Sequence, residues 1–262
     1  MGSASNYLEN KMLDAIIGGG FTKPATVYCA LFTADPTDAA SGAEVSGGSY
    51  ARVSITNNTT NWPNASSGQK KNGTEILFAA ATGAWGTVTH WALFDASTSG
   101  NMLFYGALTN PLAPTSGKIV RFKANTIAVT LTGVSDYLKN KMLDAVLGAG
   151  YTRGELWIAL CTSEPTDAAA GTEVSGNGYA RVQASNDSTT WPDASGGQKQ
   201  NGAELAAFPA ATGSWGTITH WELYTAVTSG ERLFYGALAS SIETIVGCQI
   251  ALDENDVTIA LD

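Results

Sequence analysis

His90 and His220 are the only histidines in the chain and the first candidates for acid–base chemistry near neutral pH. Both sit in the same Thr-His-Trp context. One histidine per context cannot build a triad or a metal site, so a hydrogen-bonded side chain on a strand is the favoured reading. Trp91 and Trp221, one step along, point to the opposite face and read as core. Trp191-Pro192-Asp193 spells the acid loop of protein tyrosine phosphatases. Such an enzyme also needs a cysteine with an arginine a short loop downstream, and at the required spacing Cys161 meets Asp167, which would repel phosphate. The matching position of the other copy is Asn64. Ser67-Gly68-Gln69-Lys70 fits the S-x-x-K of a serine–lysine pair, but Ser195 and Lys199 are one residue further apart.

Oxygen ligands are the next possibility. Asp35, Asp38 and Glu44 recur as Glu164, Asp167 and Glu173 around a glycine-containing loop. Carboxylates in a turn can hold calcium, yet no calcium-loop spacing is met, and Asp-Pro-Thr-Asp makes a good type I turn. Asn57, Asn58, Asn64, Asn72 and Asn186 open Asn-x-Ser/Thr triplets, which matter only in a secreted eukaryotic protein. The sequence has no Walker loop, dinucleotide fingerprint or Cys/His metal spacing. The expectation is a protein without catalytic residues, cofactor or metal.

What positions these residues is a duplication. Ser5-Asn6-Tyr7-Leu8 and Asn10–Ala15 recur as Ser135-Asp136-Tyr137-Leu138 and Asn140–Ala145. Tyr50–Val53, Trp85–Ala96 and Leu103–Leu108 recur as Tyr179–Val182, Trp215–Ala226 and Leu233–Leu238. Solenoid repeats run to roughly 20–50 residues, so these are domains: 1–132 and 133–262. Leu8, Met12, Leu13 and Ile16 recur at helical spacing, with Ser5 or Asn6 as cap and Gly18-Gly19-Gly20 as stop. The second copy repeats this with Leu138, Met142, Leu143, Val146 and Gly148. Strand and turn signals follow. Strands are predicted at 27–33, 50–55, 87–94, 102–108 and 127–131, and at their counterparts. Short strands separated by turns predict a mainly β fold: two tandem antiparallel β-sandwich domains, each with one short N-terminal α-helix.

Composition narrows the partners. Charged residues make up 14 % of the 262, and the net charge is −9, nearly all of it in the second copy. An acidic surface disfavours nucleic acid and anionic membranes. No apolar run reaches the roughly 18 residues of a membrane span, and no signal-peptide pattern suggests Sec export. Cys29, Cys161 and Cys248 do not align across the copies and read as free thiols.

Long Asn/Ser/Thr/Gly stretches at 56–74 and 185–203 carry Trp62-Pro63 and Trp191-Pro192. Loops this long usually bind something or pack on a partner, so these four residues are candidate interface and are expected to be ordered only by another subunit or protein. The copies differ most before the final strand. Lys118, Arg121 and Lys123 stand in copy one, Glu243, Asp253 and Glu254 in copy two, with Asp256 just after. Opposite charges at equivalent positions favour copy one against copy two. Around an axis, such head-to-tail contacts close a ring, with a homotrimer favoured.

The segments SNYLENKMLDAIIGG, ALFTADPTDA, EVSGGSYARV, ATGAWGTVTHWALFDA and LFYGAL resemble the phage tail-fibre-like proteins, over nearly the whole of both copies. The resemblance implies a non-enzymatic structural protein of a tailed bacteriophage virion, made in the host cytoplasm and contacting other phage structural proteins. It would be displayed on the particle as a tail-fibre component or a capsid decoration (cement) protein. The alternative is a module binding a host-surface glycan, with Trp62 and Trp191 as stacking platforms. If the histidines are structural, changing His90 and His220 to Gln should leave particle assembly and plaque titre near normal. Intact particles without infectivity would assign them a chemical role.

Overall fold

The two helices form where the apolar spacing puts them. In the computed structural model, which describes residues 2–131, 135–148 and 153–261, α1 spans Asn6–Ile16 and α2 spans Asp136–Val146. Serine caps both: the Leu8 and Leu138 N–H groups each donate to the Oγ of Ser5 and Ser135 at 3.3 Å, satisfying one orphan donor of the first turn. Leu8, Met12, Leu13 and Ile16 are buried, as are Leu138, Met142, Leu143 and Val146. Gly18 and Gly148 end the helices at φ +76° and +101°, the left-handed region that suits glycine.

The chain divides into two compact units, and neither is a run of consecutive sequence. The first comprises Met1–Met12, Thr22–Leu131 and Asn140–Gly150; the second comprises Leu13–Phe21, Thr132–Lys139 and Tyr151–Asp262. Each helix therefore starts in one unit and ends in the other.

The first unit contains β1 (Gly2–Ala4), β2 (Thr26–Phe32), β3 (Val53–Thr56), β4 (Gln69–Lys71), β5 (Ile76–Leu77), β6 (Val88–Phe94), β7 (Met102–Leu112), β8 (Arg121–Phe122) and β9 (Ala128–Thr130). Seven of these form one sheet in the order β3-β2-β6-β7-β1-β9-β4, and β5 pairs with β8. All pairs are antiparallel among the described residues except β1 with β9, which meet in parallel at Gly2 and Val129. The second unit contains β10 (Leu156–Cys161), β11 (Val182–Ala184), β12 (Gln198–Gln200), β13 (Thr217–Tyr224), β14 (Arg232–Glu243) and β15 (Thr258–Ala260). Its sheets are β11-β10-β13-β14 and β12-β15. The counterpart of β1 falls at 132–134, outside the described residues. The fold is mainly β, in two tandem repeats with one short helix each, as the sequence predicts.

Where observed strands differ from the expected ones, side-chain chemistry explains it. Tyr50 and Tyr179 precede β3 and β11 rather than opening them. Each ring packs on a Phe and edge-on to a Trp instead: Tyr50 on Phe78 and Trp85, Tyr179 on Phe208 and Trp215. Inside the long polar stretches, β4 pairs with β9 and β12 with β15. A Gln-Lys-Lys or Gln-Lys-Gln triplet has no apolar alternation to read, because the residue it turns inward is a lysine. The β5–β8 pairing shrinks in the second unit to one bridge, Leu205 to Leu252. One extra residue between Leu205 and Phe208 breaks the register there.

The two cores diverge at one cluster. In the first unit Ala30, Phe32, Ala92, Phe94 and Met102 pack together as an apolar group. At the equivalent positions the second has Ala159, Cys161, Glu222, Tyr224 and Arg232. Glu222 is 0 % exposed and fully engaged: it accepts from Arg232 at 2.9 Å, Gly171 N–H at 3.0 Å, Tyr224 Oη at 2.9 Å and Cys161 Sγ at 3.2 Å. Arg232 also donates to the carbonyls of Thr166, Asp167 and Ala169, pinning that loop to the sheet. Burial first, then Glu222, pushes the Cys161 thiol far above its usual range, so it stays protonated. Arg232→Ala leaves Glu222 buried without its counter-charge and should cost about 3–5 kcal/mol. Arg232→Met with Glu222→Ala, which installs the first core's residues at its two charged positions, should cost less than that single change. Urea unfolding of these two variants beside the parent protein measures both.

Candidate functional site

The polar residues that the fold gathers most tightly are those around the two helix ends. In the first unit, Lys70 on β4 is sealed from solvent and its Nζ donates to Asp144 Oδ1 at 2.6 Å. The same oxygen accepts the Ala65 N–H at 2.7 Å, and Asn140 Oδ1 accepts the Gly68 N–H at 3.0 Å. Asn57 reads the helix terminus with its amide: Nδ2 donates to the Val146 carbonyl and Oδ1 accepts the Gly148 N–H, at 2.8 and 2.7 Å. This satisfies groups that any helix end leaves open. Burial lowers the Lys70 pKa, and hydrogen bonding and charge from Asp144 only partly oppose it.

The second unit repeats the arrangement with α1. Lys199 Nζ donates to Asp14 Oδ1 at 2.7 Å and to the Pro192 carbonyl at 2.7 Å. Asp14 Oδ1 accepts the Ala194 N–H at 2.8 Å. Asn186 Oδ1 accepts the Gly18 N–H at 2.8 Å, and Arg153 donates to the Gly18 carbonyl. A Cβ placed on Gly18 would lie 2.2 Å from the Trp191 carbonyl oxygen; on Gly148 it would lie 2.6 Å from that of Trp62. No side chain fits at either glycine without displacing backbone.

Trp62 and Trp191, expected at an interface, are 0 % exposed. Their long loops do rest on a partner, and it lies within the chain: the helix end of the other repeat. Trp191 Nε1 donates to the Ser185 carbonyl at 2.9 Å. In copy one Asn61 takes the equivalent carbonyl of Thr56, and Trp62 Nε1 is left without a partner. Pro63 and Pro192 lie on exposed turns, packed over Gly73 and Gly202. Sequence reasoning missed Asp14, Asp144, Lys70, Lys199, Asn57 and Asn186 as a group. The available signal was a lysine repeated in both copies within a polar stretch whose one large apolar residue is a tryptophan.

The charged candidates are exposed. Lys118, Arg121, Lys123, Glu243, Asp253 and Glu254 all face solvent, and Arg121 approaches Glu75 at 3.6 Å. The turns that carry Lys123 and Asp253 have one backbone. Asn72 donates to the Lys123 carbonyl and Asn201 to that of Asp253, at 2.8 and 2.7 Å, and Asn125 and Asn255 sit at φ 66° and 69°. Asp256 accepts the Asp253 N–H at 2.8 Å, which closes its turn.

Most of the residues weighed for chemistry make contacts within the fold. His90 and His220 bond their neighbours Thr89 and Thr219 at 2.9 and 2.8 Å. Glu44 and Glu173 each grip an arginine, Arg52 and Arg181, with both carboxylate oxygens. The guanidinium planes cover Phe94 and Tyr224 at 3.6 and 3.5 Å. Asp38 and Asp167 accept from Tyr105 and Tyr235, and Asp167 also pairs with Lys139 at 2.6 Å. Asp38, Glu44, Asp167 and Glu173 of the suspected calcium loops are therefore held by separate partners. Open clefts of about 490 and 400 Å³ lie beside Arg52 and Arg181, at the same place in each repeat.

A duplicated β fold whose polar clusters brace loops and helix ends defines a tandem β-repeat protein. The family described as Podophage GP4 fiber I protein gp80 matches the chain twice, over residues 3–130 and 133–260. The chain belongs to that family, and it is a phage fibre-type virion protein built as a tandem pair. No match is found among curated proteins.

Asp144→Ala strands the buried Lys70 ammonium and should cost about 3–5 kcal/mol in urea unfolding. Asp144→Asn retains an oxygen for Ala65 and Lys70 and should cost clearly less. Equal losses would mean that the carboxylate charge and its bonds do not hold the helix end.

Proposed function

We propose that the chain is a non-enzymatic, tail-associated fibre component that assembles by contacts between its own copies and with other virion proteins. The observation that carries this reading is the pair of matching turns with opposite charge. Lys123 stands on one and Asp253 with Glu254 on the other, over the same backbone scaffold. Lys118, Arg121 and exposed Ile119 continue the basic strand, with exposed Leu77 opposite Arg121. Copy two instead exposes Ile245 and Val246 at 70 % each, next to Glu243. Large apolar side chains in water beside a charged strip suit a protein interface, and opposite strips favour copy one of one chain against copy two of the next. Repeated around an axis, that contact closes a ring of three chains.

Capsid decoration is the competing position on the particle, and copy number separates the two: a handful of chains per particle fits a tail, hundreds a capsid. The glycan alternative rested on Trp62 and Trp191 as stacking faces, and both rings are buried. It therefore has no aromatic platform in those loops.

Reversing the charge of Lys118, Arg121 and Lys123 together should lower the mass of the assembly in solution at low salt, where screening is weakest. Adding the reversal of Asp253, Glu254 and Asp256 should partly restore it. An unchanged mass after the first reversal removes this interface.

A further inference from the structure

The two helix ends and the two sockets that receive them are chemically the same. Asn10 and Asp14 on α1, with Gly18 just past its end, correspond to Asn140 and Asp144 on α2 with Gly148; Asn57, Trp62 and Lys70 correspond to Asn186, Trp191 and Lys199. We propose that this is a self-recognition contact: one repeat is incomplete alone, its partner is a second repeat, and the chain is a fused pair with exchanged helix ends.

Three observations carry this. The N-terminal turn of each helix is anchored at home, with Ser5 Oγ donating to the Met102 carbonyl and Ser135 Oγ to the Arg232 carbonyl. Only the C-terminal half is exported, and the compact units divide within the helices, after Met12 and Lys139. An empty socket would leave a lysine with 0 % side-chain exposure facing no carboxylate, which is strongly unfavourable. It would also leave Asn57 Oδ1 and the Ala65 and Gly68 N–H groups without these partners. Finally, the fit is close enough to exclude a methyl group at Gly18 or Gly148, yet it uses identical residues on both sides. The specific difference is peripheral: Arg153 bonds the Gly18 carbonyl, whereas its counterpart Lys23 bonds the Asn57 carbonyl. A socket built this way accepts the helix end of either repeat. This holds whether the chain serves in a fibre or elsewhere on the particle.

The test is made on the full chain with a protease site inserted at Gly133. After cleavage of the folded protein, the halves should co-elute at the position of the uncleaved protein. Halves that elute separately overturn the proposal. The Asp14→Ala, Asp144→Ala double variant should part at lower urea than the cleaved parent. Reversing Lys118, Arg121 and Lys123 should not change that point; if only the reversal does, the halves are held by another surface and the proposal fails. The halves differ greatly in charge, near neutral against strongly acidic, so native electrophoresis resolves every pairing. After unfolding and refolding the cleaved mixture, three species are expected: the mixed pair and both like pairs. The mixed pair alone would show that the sockets discriminate, and self-recognition would be wrong.

Discussion

An ammonium group sealed from water has to meet a carboxylate, and here it meets one from the other repeat. Lys70 finds Asp144 and Lys199 finds Asp14. Much of the rest follows from this. The carboxylate also fixes backbone N–H groups of the Trp-Pro loop, so the loop closes over the helix end. The loop then buries Trp62 or Trp191 and brings a carbonyl so near Gly18 or Gly148 that only glycine is tolerated. The lysine itself lies on a short strand that pairs with the last strand of its repeat. One ion pair thus ties together a helix terminus, a long polar loop and a sheet edge. Burial lowers the Lys70 pKa more than Asp144 raises it, so the cost of taking the ammonium out of water offsets much of what the pair gains.

The repeats keep this contact while letting their cores drift. An apolar cluster around Ala92 and Met102 becomes a saturated network around Glu222 and Arg232. Both oxygens of Glu222 and both terminal nitrogens of Arg232 have partners, which is the condition for a buried charge to be tolerated. The consequence is local. The loop at 166–169 is clamped by Arg232 in copy two, while the strand order β3-β2-β6-β7 is preserved as β11-β10-β13-β14. Outside, the same freedom produced opposite charges on matching turns. Sheet geometry is set by hydrogen bonding and pleat, so side chains on solvent-facing turns can change sign without moving the backbone.

The sequence by itself determined the duplication, the serine-capped helices, the glycine stops and most strands, because each is written in local spacing: Leu8, Met12 and Ile16 at helical period, and β-rich runs bounded by turn residues. It could not show β4 and β12, whose inward residue is a lysine, nor the burial of Trp62 within a loop of polar neighbours. Above all it could not say which aspartate each lysine meets. Asp14 and Asp144 stand in the same local sequence, and so do Lys70 and Lys199, so local chemistry is equally satisfied by either pairing. Only the tertiary structure decided it. With each helix anchored at its own serine, its far end lies in the other repeat's unit, and the carboxylate serves that repeat's lysine.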